Sequence, residues 1–198
     1  MILGITGGTG CGKTTLLNAI QAQGGLVLDC DAIYHELLSS DASLLSAIES
    51  RFPGVVEQGA LNRKKLGSIV FSDEKALLDL NKITHAAVKA EVLRRLACPP
   101  ALAALAAIDA IGLFEGELAE LCDVTVAVTA PTEERVQRLM KRDGISESYA
   151  RSRIAAQHDE NWFRQRCGHV LENSGNLDAF ATKCLAFLQS LGIMKENP

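Results

Sequence analysis

No two of the six cysteines have C-x-x-C spacing; they stand apart at 11, 30, 98, 122, 167 and 184. Neither a zinc site nor a redox dithiol is indicated, and free, mostly buried thiols in a reducing cytoplasm are expected. A basic excess is also lacking. The net charge is −4, so the chain carries no general electrostatic footprint for nucleic acid. No apolar run reaches the roughly 18 residues of a membrane span. The most apolar stretch, 101–111, is interrupted by Asp109 and reads as a buried strand. The first residues lack the basic region of a signal peptide, which fits a cytoplasmic protein. Internal repeats and low-complexity linkers are missing too. What is present is 198 residues, 47% of them hydrophobic, enough for one sizeable core.

Within that core one stretch carries chemistry. Gly7-Gly8-Thr9-Gly10-Cys11-Gly12-Lys13-Thr14 fits G-x-x-x-x-G-K-[ST] without a mismatch. The apolar run Ile2–Thr6 before it reads as a buried parallel strand, and 15–20 after it as the first turns of a helix. Glycines let such a loop curl so that successive N–H groups point at phosphate oxygens, and the following helix adds its positive end. Gly8, Thr9, Gly10, Cys11 and Gly12 would form the cradle. Lys13 would reach the β- and γ-phosphates, the Thr14 hydroxyl would hold Mg²⁺, and Thr15 would touch the α-phosphate. Cys11 has two readings: a thiol acidified by the helix end and Lys13, or a small space-filling residue, which we favour.

Strands and helices alternate along the rest. Leu26–Asp29, 102–108, 124–128 and His169–Glu172 read as further strands, with long amphipathic segments at 73–96, 132–141 and 178–191. This alternation predicts an α/β fold of three layers, with a five-stranded parallel sheet covered on both faces. Residues 32–97 are mostly helical and read as a substrate cap inserted after the second strand. Residues 141–166 hold Lys141, Arg142, Arg151, Arg153, Arg164 and Arg166 and read as a helical lid over ATP. The core is then 1–31, 98–140 and 167–198, all in a single P-loop kinase domain.

Asp29-Cys30-Asp31 ends the second strand, on the side where parallel sheets bind ligands. A kinase needs a carboxylate there to orient the acceptor hydroxyl. Both acids have the same parity on an extended chain and could face the loop. Asp31 could equally cap the next helix.

These residues begin to look like one family. Ile5 to Thr15, followed by Val27-Leu28-Asp29-Cys30-Asp31-Ala32-Ile33, resembles the opening of dephospho-CoA kinases. Similar to that family, in order, are Leu61-Asn62-Arg63 with Leu66 and Ile69-Val70-Phe71-Ser72, then Leu80 to His85, Gly112 to Glu115 and Leu121-Cys122-Asp123. Arg142 to Ser146, Arg153 to Gln157 and Asn173-Ser174-Gly175 continue the likeness. The resemblance implies transfer of the ATP γ-phosphoryl group to the ribose 3′-hydroxyl of dephospho-CoA, the last step of coenzyme A biosynthesis, by a monomer or weak homo-oligomer. It makes Asp31 the catalytic aspartate, with Lys13 and Arg142 acting on the phosphates. Asn173 would lie near the adenine; His85, Leu113 and Glu115 would lie near the acceptor. On the sequence alone Glu115 could be a pocket acid, a metal-shell acid or an exposed residue.

There are departures. The family's His-Pro is His85-Ala86 here, and its Pro-Leu-Leu-Phe-Glu is Ile111-Gly112-Leu113-Phe114-Glu115. Both lie in the acceptor pocket and leave the ATP machinery alone. Rival readings are another small-molecule or nucleotide kinase and a nucleotide-binding homologue with impaired catalysis. A GTPase is disfavoured: Asp109-Ala110-Ile111-Gly112 fits D-x-x-G, but the guanine-reading N-K-x-D is missing.

Overall fold

The computed structural model describes residues 1–98 and 104–193. β1 (Ile2–Thr6) is the middle strand of a five-stranded parallel sheet. Leu3 and Ile5 are fully buried on one face. On the other face Gly4 leaves room for a neighbour: a Cβ there would come within 2.8 Å of the Cys122 sulfur. After the loop comes α1 (Lys13–Ala22), then β2 (Leu26–Asp29). The cap follows as α2 (Cys30–Ser40), α3 (Ala42–Arg51), a two-residue-per-strand hairpin of β3 (Val56–Glu57) and β4 (Ala60–Leu61), α4 (Arg63–Val70) and the long α5 (Glu74–Ala97). The core resumes with β5 (Ala106–Asp109), a short 3-10 helix (Leu118–Leu121), β6 (Val124–Thr129) and α6 (Thr132–Asp143). Two short helices, α7 (Glu147–Ala155) and α8 (Glu160–Arg166), occupy the segment read as the lid. β7 (His169–Glu172) and α9 (Leu177–Ser190) complete the order.

The sheet runs β2-β5-β1-β6-β7. The predicted α/β architecture is therefore correct, including the number and direction of its strands. Two details differ. The strand expected at 102–108 begins at Ala106 and runs on to Asp109; 102 and 103 lie outside the described residues. The cap also contains the small β3–β4 hairpin, too short to show an alternating pattern in the sequence.

Apolar packing explains the layers. Leu16 and Ile20 of α1 and Phe180, Phe187 and Leu188 of α9 bury against Leu3, Ile5, Val126 and Val128. The opposite face joins Leu28, Ile108, Leu113 and Leu118 to Ile33 of α2 and to Val88 and Val92 of α5. The cap has its own core of Leu38, Leu44, Ile48, Phe52, Val55, Leu66 and Val70. α5 is the strut between the two. At 24 residues it spans about 36 Å. Ala76 and Leu80 belong to the cap core, whereas Val88 and Val92 belong to the sheet. Thr84 and His85 fall between these contacts, where the two bodies part. Side-chain caps fix where the helices start: Asp41, Asn62, Asp73, Ser146, Asp159 and Asn176 each accept a backbone N–H, each worth about 1 kcal/mol.

Candidate active site

Two adjoining cavities open at the carboxyl ends of β1, β2 and β5. The larger, of about 670 Å³, is walled by Gly8, Thr9, Gly10, Gly12, Lys13 and Thr14 of the loop and by Arg138, Lys141, Arg142 and Arg153 across from it. The smaller, of about 250 Å³, lies between α2, α5 and residues 110–118, with His85, Tyr34, Thr84 and Gly112 on its wall. Asp31 and Ile111 line both. Asp31 thus stands at the junction, in the first turn of α2.

The loop is held from outside by groups that its motif does not contain. Gly10 and Gly12 have φ of 78° and 95°, open to glycine and strained for other residues. Asn173 is buried and donates from Nδ2 to the Cys11 carbonyl at 2.8 Å. Arg135, also buried, donates from Nε to the Thr9 carbonyl at 2.9 Å. Gln157 accepts from the Thr9 N–H at 2.8 Å, and Arg138 reaches the Gly10 carbonyl at 3.3 Å. The Cys11 thiol is buried, and burial pushes its pKa up against the opposing pull of Arg135 and Lys13. It packs in the core, the surroundings expected of a space-filling residue. Thr14 is exposed on the wall of the larger cavity; Thr15 is half-buried and does not line it.

The site's electrostatics centre on a residue set aside in the sequence. β5 separates β1 from β2, with Asp109 in register with Ile5 on one side and Asp29 on the other. Asp109 ends that strand behind the loop. One of its oxygens, Oδ1, is buried without a hydrogen-bond partner, 4.0 Å from the Lys13 ammonium. Burial raises its pKa from 3.8 to about 6; Lys13 opposes this, while Asp29 and Asp31 add to it. The sign of the consequence follows. Between pH 3.8 and about 6 the folded protein holds a proton that the unfolded chain has released. Stability contributed by this group is therefore full at low pH and is lost as pH rises through about 6. Asp109→Asn is expected to raise the melting temperature at neutral pH, the gain being bounded at about 3 kcal/mol. It should also abolish most activity. Thermal melts at neutral pH and near pH 4 test this, and an Asn variant less stable at neutral pH would refute it.

Other expected site residues are placed as follows. Asp29 is an N-cap: its carboxylate accepts the Ala32 N–H at 3.0 Å. The extended-chain parity argument for Asp29 and Asp31 fails because α2 begins at Cys30. The cap role open to Asp31 falls instead to Asp29, and among the described residues no hydrogen bond or ion pair engages the Asp31 side chain. Arg142 lines the larger cavity, but its guanidinium forms a two-bond pair with Asp143 at 2.6 and 3.0 Å. Arg153 joins the same carboxylate at 2.7 Å. These hydrogen bonds hold the Asp143 carboxyl down to about 2. Arg151 is committed to Glu133 and Glu147, Arg164 to Glu160, and Arg166 lies over the Trp162 ring at 4.2 Å. Of the arginines in 141–166, only Arg142 and Arg153 face the cavity.

His85 is on the wall of the smaller cavity. Leu113 is not on either wall; it is fully buried in the sheet core. Glu115 is half-exposed and meets His158 at 2.7 Å, linking residues 110–116 to the α7–α8 segment. Gly112 has ordinary space around it, a Cβ meeting Glu115 and His85 only at 3.8 and 3.9 Å, so neither a close approach nor a special backbone conformation requires glycine here. Sequence reasoning missed Asp109, Arg135, Arg138 and Gln157. The available signal was Arg135 next to Val136 and one turn before Leu139, a cation on the apolar stripe of α6.

Comparison with known proteins agrees with this geometry. The sequence model of one family, described as dephospho-CoA kinase, matches residues 1–179. A dephospho-CoA kinase of Syntrophotalea carbinolica is 36% identical over 96% of this chain and 92% of its own length. One from Corynebacterium diphtheriae is 34% identical over 89% of this chain and 90% of its own. Among solved structures, a Thermus thermophilus protein superposes with a TM-score of 0.80 at 34% identity, covering 96% of this chain and 97% of its own. A shikimate kinase of Acinetobacter baumannii shares the fold, with a TM-score of 0.54 at 18% identity and coverage of 99% and 95%.

Proposed function

The chain belongs to the dephospho-CoA kinase family, and we propose accordingly that it moves the γ-phosphoryl group of ATP to the ribose 3′-hydroxyl of dephospho-CoA, giving coenzyme A and ADP. One observation carries the reading most: Asp31 lines both cavities, so a carboxylate stands where a phosphate donor and a hydroxyl acceptor would meet. ATP would lay its phosphates on the backbone of 8–14, with Lys13 between the β- and γ-positions. The acceptor ribose would enter between α2 and α5, beside His85. Asp31 would orient the 3′-hydroxyl for in-line attack and take its proton late. Arg142 and Arg153, tethered by Asp143, would face the transferring charge.

The residues present also fit Mg²⁺. The described residues contain no cluster of three or more His, Cys, Asp or Glu side chains that could hold a metal by themselves. Mg²⁺ ordinarily arrives with phosphates and needs only one or two protein oxygens and water. The orphaned Asp109 Oδ1 and the exposed Thr14 hydroxyl on the same cavity supply these. When bound, the ion neutralises charge on the β- and γ-phosphate oxygens. No described helix is long and apolar enough to cross a membrane, and six unpaired cysteines suit a reducing cytoplasm.

The direct test mixes pure protein with Mg·ATP and dephospho-CoA and measures CoA and ADP. Equal amounts of the two products are expected, with no turnover on omission of the acceptor or on substitution by AMP, adenosine or shikimate. ATP binding without CoA formation would overturn the reading and favour another acceptor or a non-catalytic role.

A further inference from the structure

We propose that His158 is a positioning residue: held by Glu115 and standing next to Gln157, it keeps one wall of the acceptor cavity in register with the phosphate loop. This rests on the transfer proposed above. In-line attack needs the acceptor hydroxyl and the γ-phosphorus in one geometry. Different segments would hold the two. The donor phosphates would lie on 8–14, whereas the turn at 110–118 walls the acceptor cavity.

A dipeptide joins these segments. Gln157 and His158 lie between α7 and Asp159, the cap of α8. Gln157 Oε1 accepts the Thr9 N–H at 2.8 Å and an Arg135 N–H at 3.2 Å, so this side chain is fixed to the phosphate loop. The next side chain meets the acceptor wall. His158 Nε2 lies 2.7 Å from Glu115 Oε1. A carboxylate only accepts, so Nε2 carries the proton and donates it.

The imidazole is not free to turn. It stacks on Trp162, with ring centroids 3.8 Å apart and planes 2° from parallel. Arg166 lies over the same ring at 4.2 Å, and two groups this close to one ring occupy its two faces. Phe114 and Phe163 stand nearly perpendicular to Trp162, at 5.6 and 5.1 Å. Phe163 is buried and anchors the group. His158, just before the cap, thus packs on the first turn of α8, a contact that fixes how the chain enters the helix. Phe114 and Glu115 are consecutive in the acceptor wall, and they meet Trp162 and His158 respectively. The same turn is tied on its other side to α5, where Lys89 pairs with Glu117 at 2.9 Å and Glu120 at 3.3 Å.

Stability alone does not call for this arrangement. The His158 and Glu115 side chains are 47% and 38% exposed, and pairs this open to water add little to folding. The pair instead completes a path, Thr9 to Gln157 to His158 to Glu115, from the loop that would hold the donor to the wall that would hold the acceptor.

A double-mutant cycle tests this role. His158→Ala should lower kcat about ten-fold, because a displaced acceptor costs rate at the reacting centre. KM for ATP and the melting temperature should stay as in wild type. Glu115→Ala should cost as much, and the double variant no more than either single one. His158→Gln, which keeps an N–H donor, should recover part of the loss. Hydrogen exchange adds a readout that needs no turnover. The amides of Gly116, Glu117 and Leu118 bond within the turn, to the carbonyls of Gly112, Phe114 and Leu113. In wild type, Mg·ADP on the loop should slow their exchange at least about two-fold. In His158→Ala it should slow the loop amides alone. Unchanged kcat in the single variants, additive losses, or equal slowing at 116–118 with and without His158 would overturn the positioning role. A wild-type protein that makes no CoA, yet passes protection from the loop to 116–118 through His158, would overturn the proposed reaction and leave the link between the two segments standing.

Discussion

Replacing Asp31 with asparagine is expected to cut turnover by about 10³-fold while ATP binds as it does to wild type. The side chain sits at the wall common to both cavities, in the first turn of α2. Asparagine keeps its size and can still hydrogen-bond a hydroxyl. It cannot take the proton that the attacking 3′-hydroxyl must lose. The fold should tolerate the change, because the cap of α2 is Asp29, whose bond to the Ala32 N–H is untouched. The loss of one acid near a helix N-terminus costs at most about 1 kcal/mol. The phosphate loop, with its backbone clamps to Arg135, Gln157 and Asn173, does not depend on Asp31. The effect should thus fall on kcat alone, read by ADP release, with ATP affinity followed by calorimetry. Near-normal turnover would refute the assignment of Asp31.

Asp29→Asn provides the contrast. A cap carboxylate exchanged for a cap amide loses little, because Asn and Asp are about equally good N-caps. The pair separates the two acids by function, which the sequence could not do. Both stood at a strand end with equal parity, and only the start of α2 at Cys30 distinguishes them. The general difficulty is the same elsewhere. The glycine-rich turn after β1, the parallel sheet and the largely helical segment between β2 and β5 were legible because they rest on local pattern: a glycine motif, apolar runs and 3.6-residue periodicity. The clamps on the loop were not. Arg135, Gln157 and Asn173 lie 126 to 162 residues from their partners, and no local pattern announces such contacts. Family likeness located Leu113 at the acceptor, yet packing against the sheet buries it. The clustering of cations drew attention to the arginines of 141–166, whereas charge pairing among exposed side chains occupies most of them. In the sequence Asp109 stands out only as a charge interrupting an apolar stretch and as a D-x-x-G match that carries no GTPase. Its meaning comes from strand order, since β5 is the strand inserted between the loop and Asp31.

That position gives Lys13→Ala a second, less obvious consequence. The ammonium donates to the Gly7 carbonyl at 3.0 Å and stands 4.0 Å from Asp109 Oδ1. Removing it should lower kcat by about 10²–10³-fold, the usual scale for a preorganised cation on developing charge, and weaken ATP by about ten-fold. It also withdraws the one charge that opposes burial at Asp109. With Asp29 and Asp31 still nearby, the carboxyl should titrate well above its wild-type value of about 6. Asp109 is needed ionised if it faces the Mg²⁺ of Mg·ATP. Wild-type activity should then fall as pH drops through about 6, and the residual activity of Lys13→Ala should fall at a distinctly higher pH. The double variant Lys13→Ala/Asp109→Asn should show no such acid limb, and its losses should be less than additive, because the two groups act as a unit. Measuring kcat/KM for ATP against pH, which reports groups of the free enzyme, separates this coupling from simple loss of a phosphate contact in the three proteins. An acid limb at the same pH with and without Lys13 would mean that Asp109 titrates independently of the loop, and its place in the site would have to be given up.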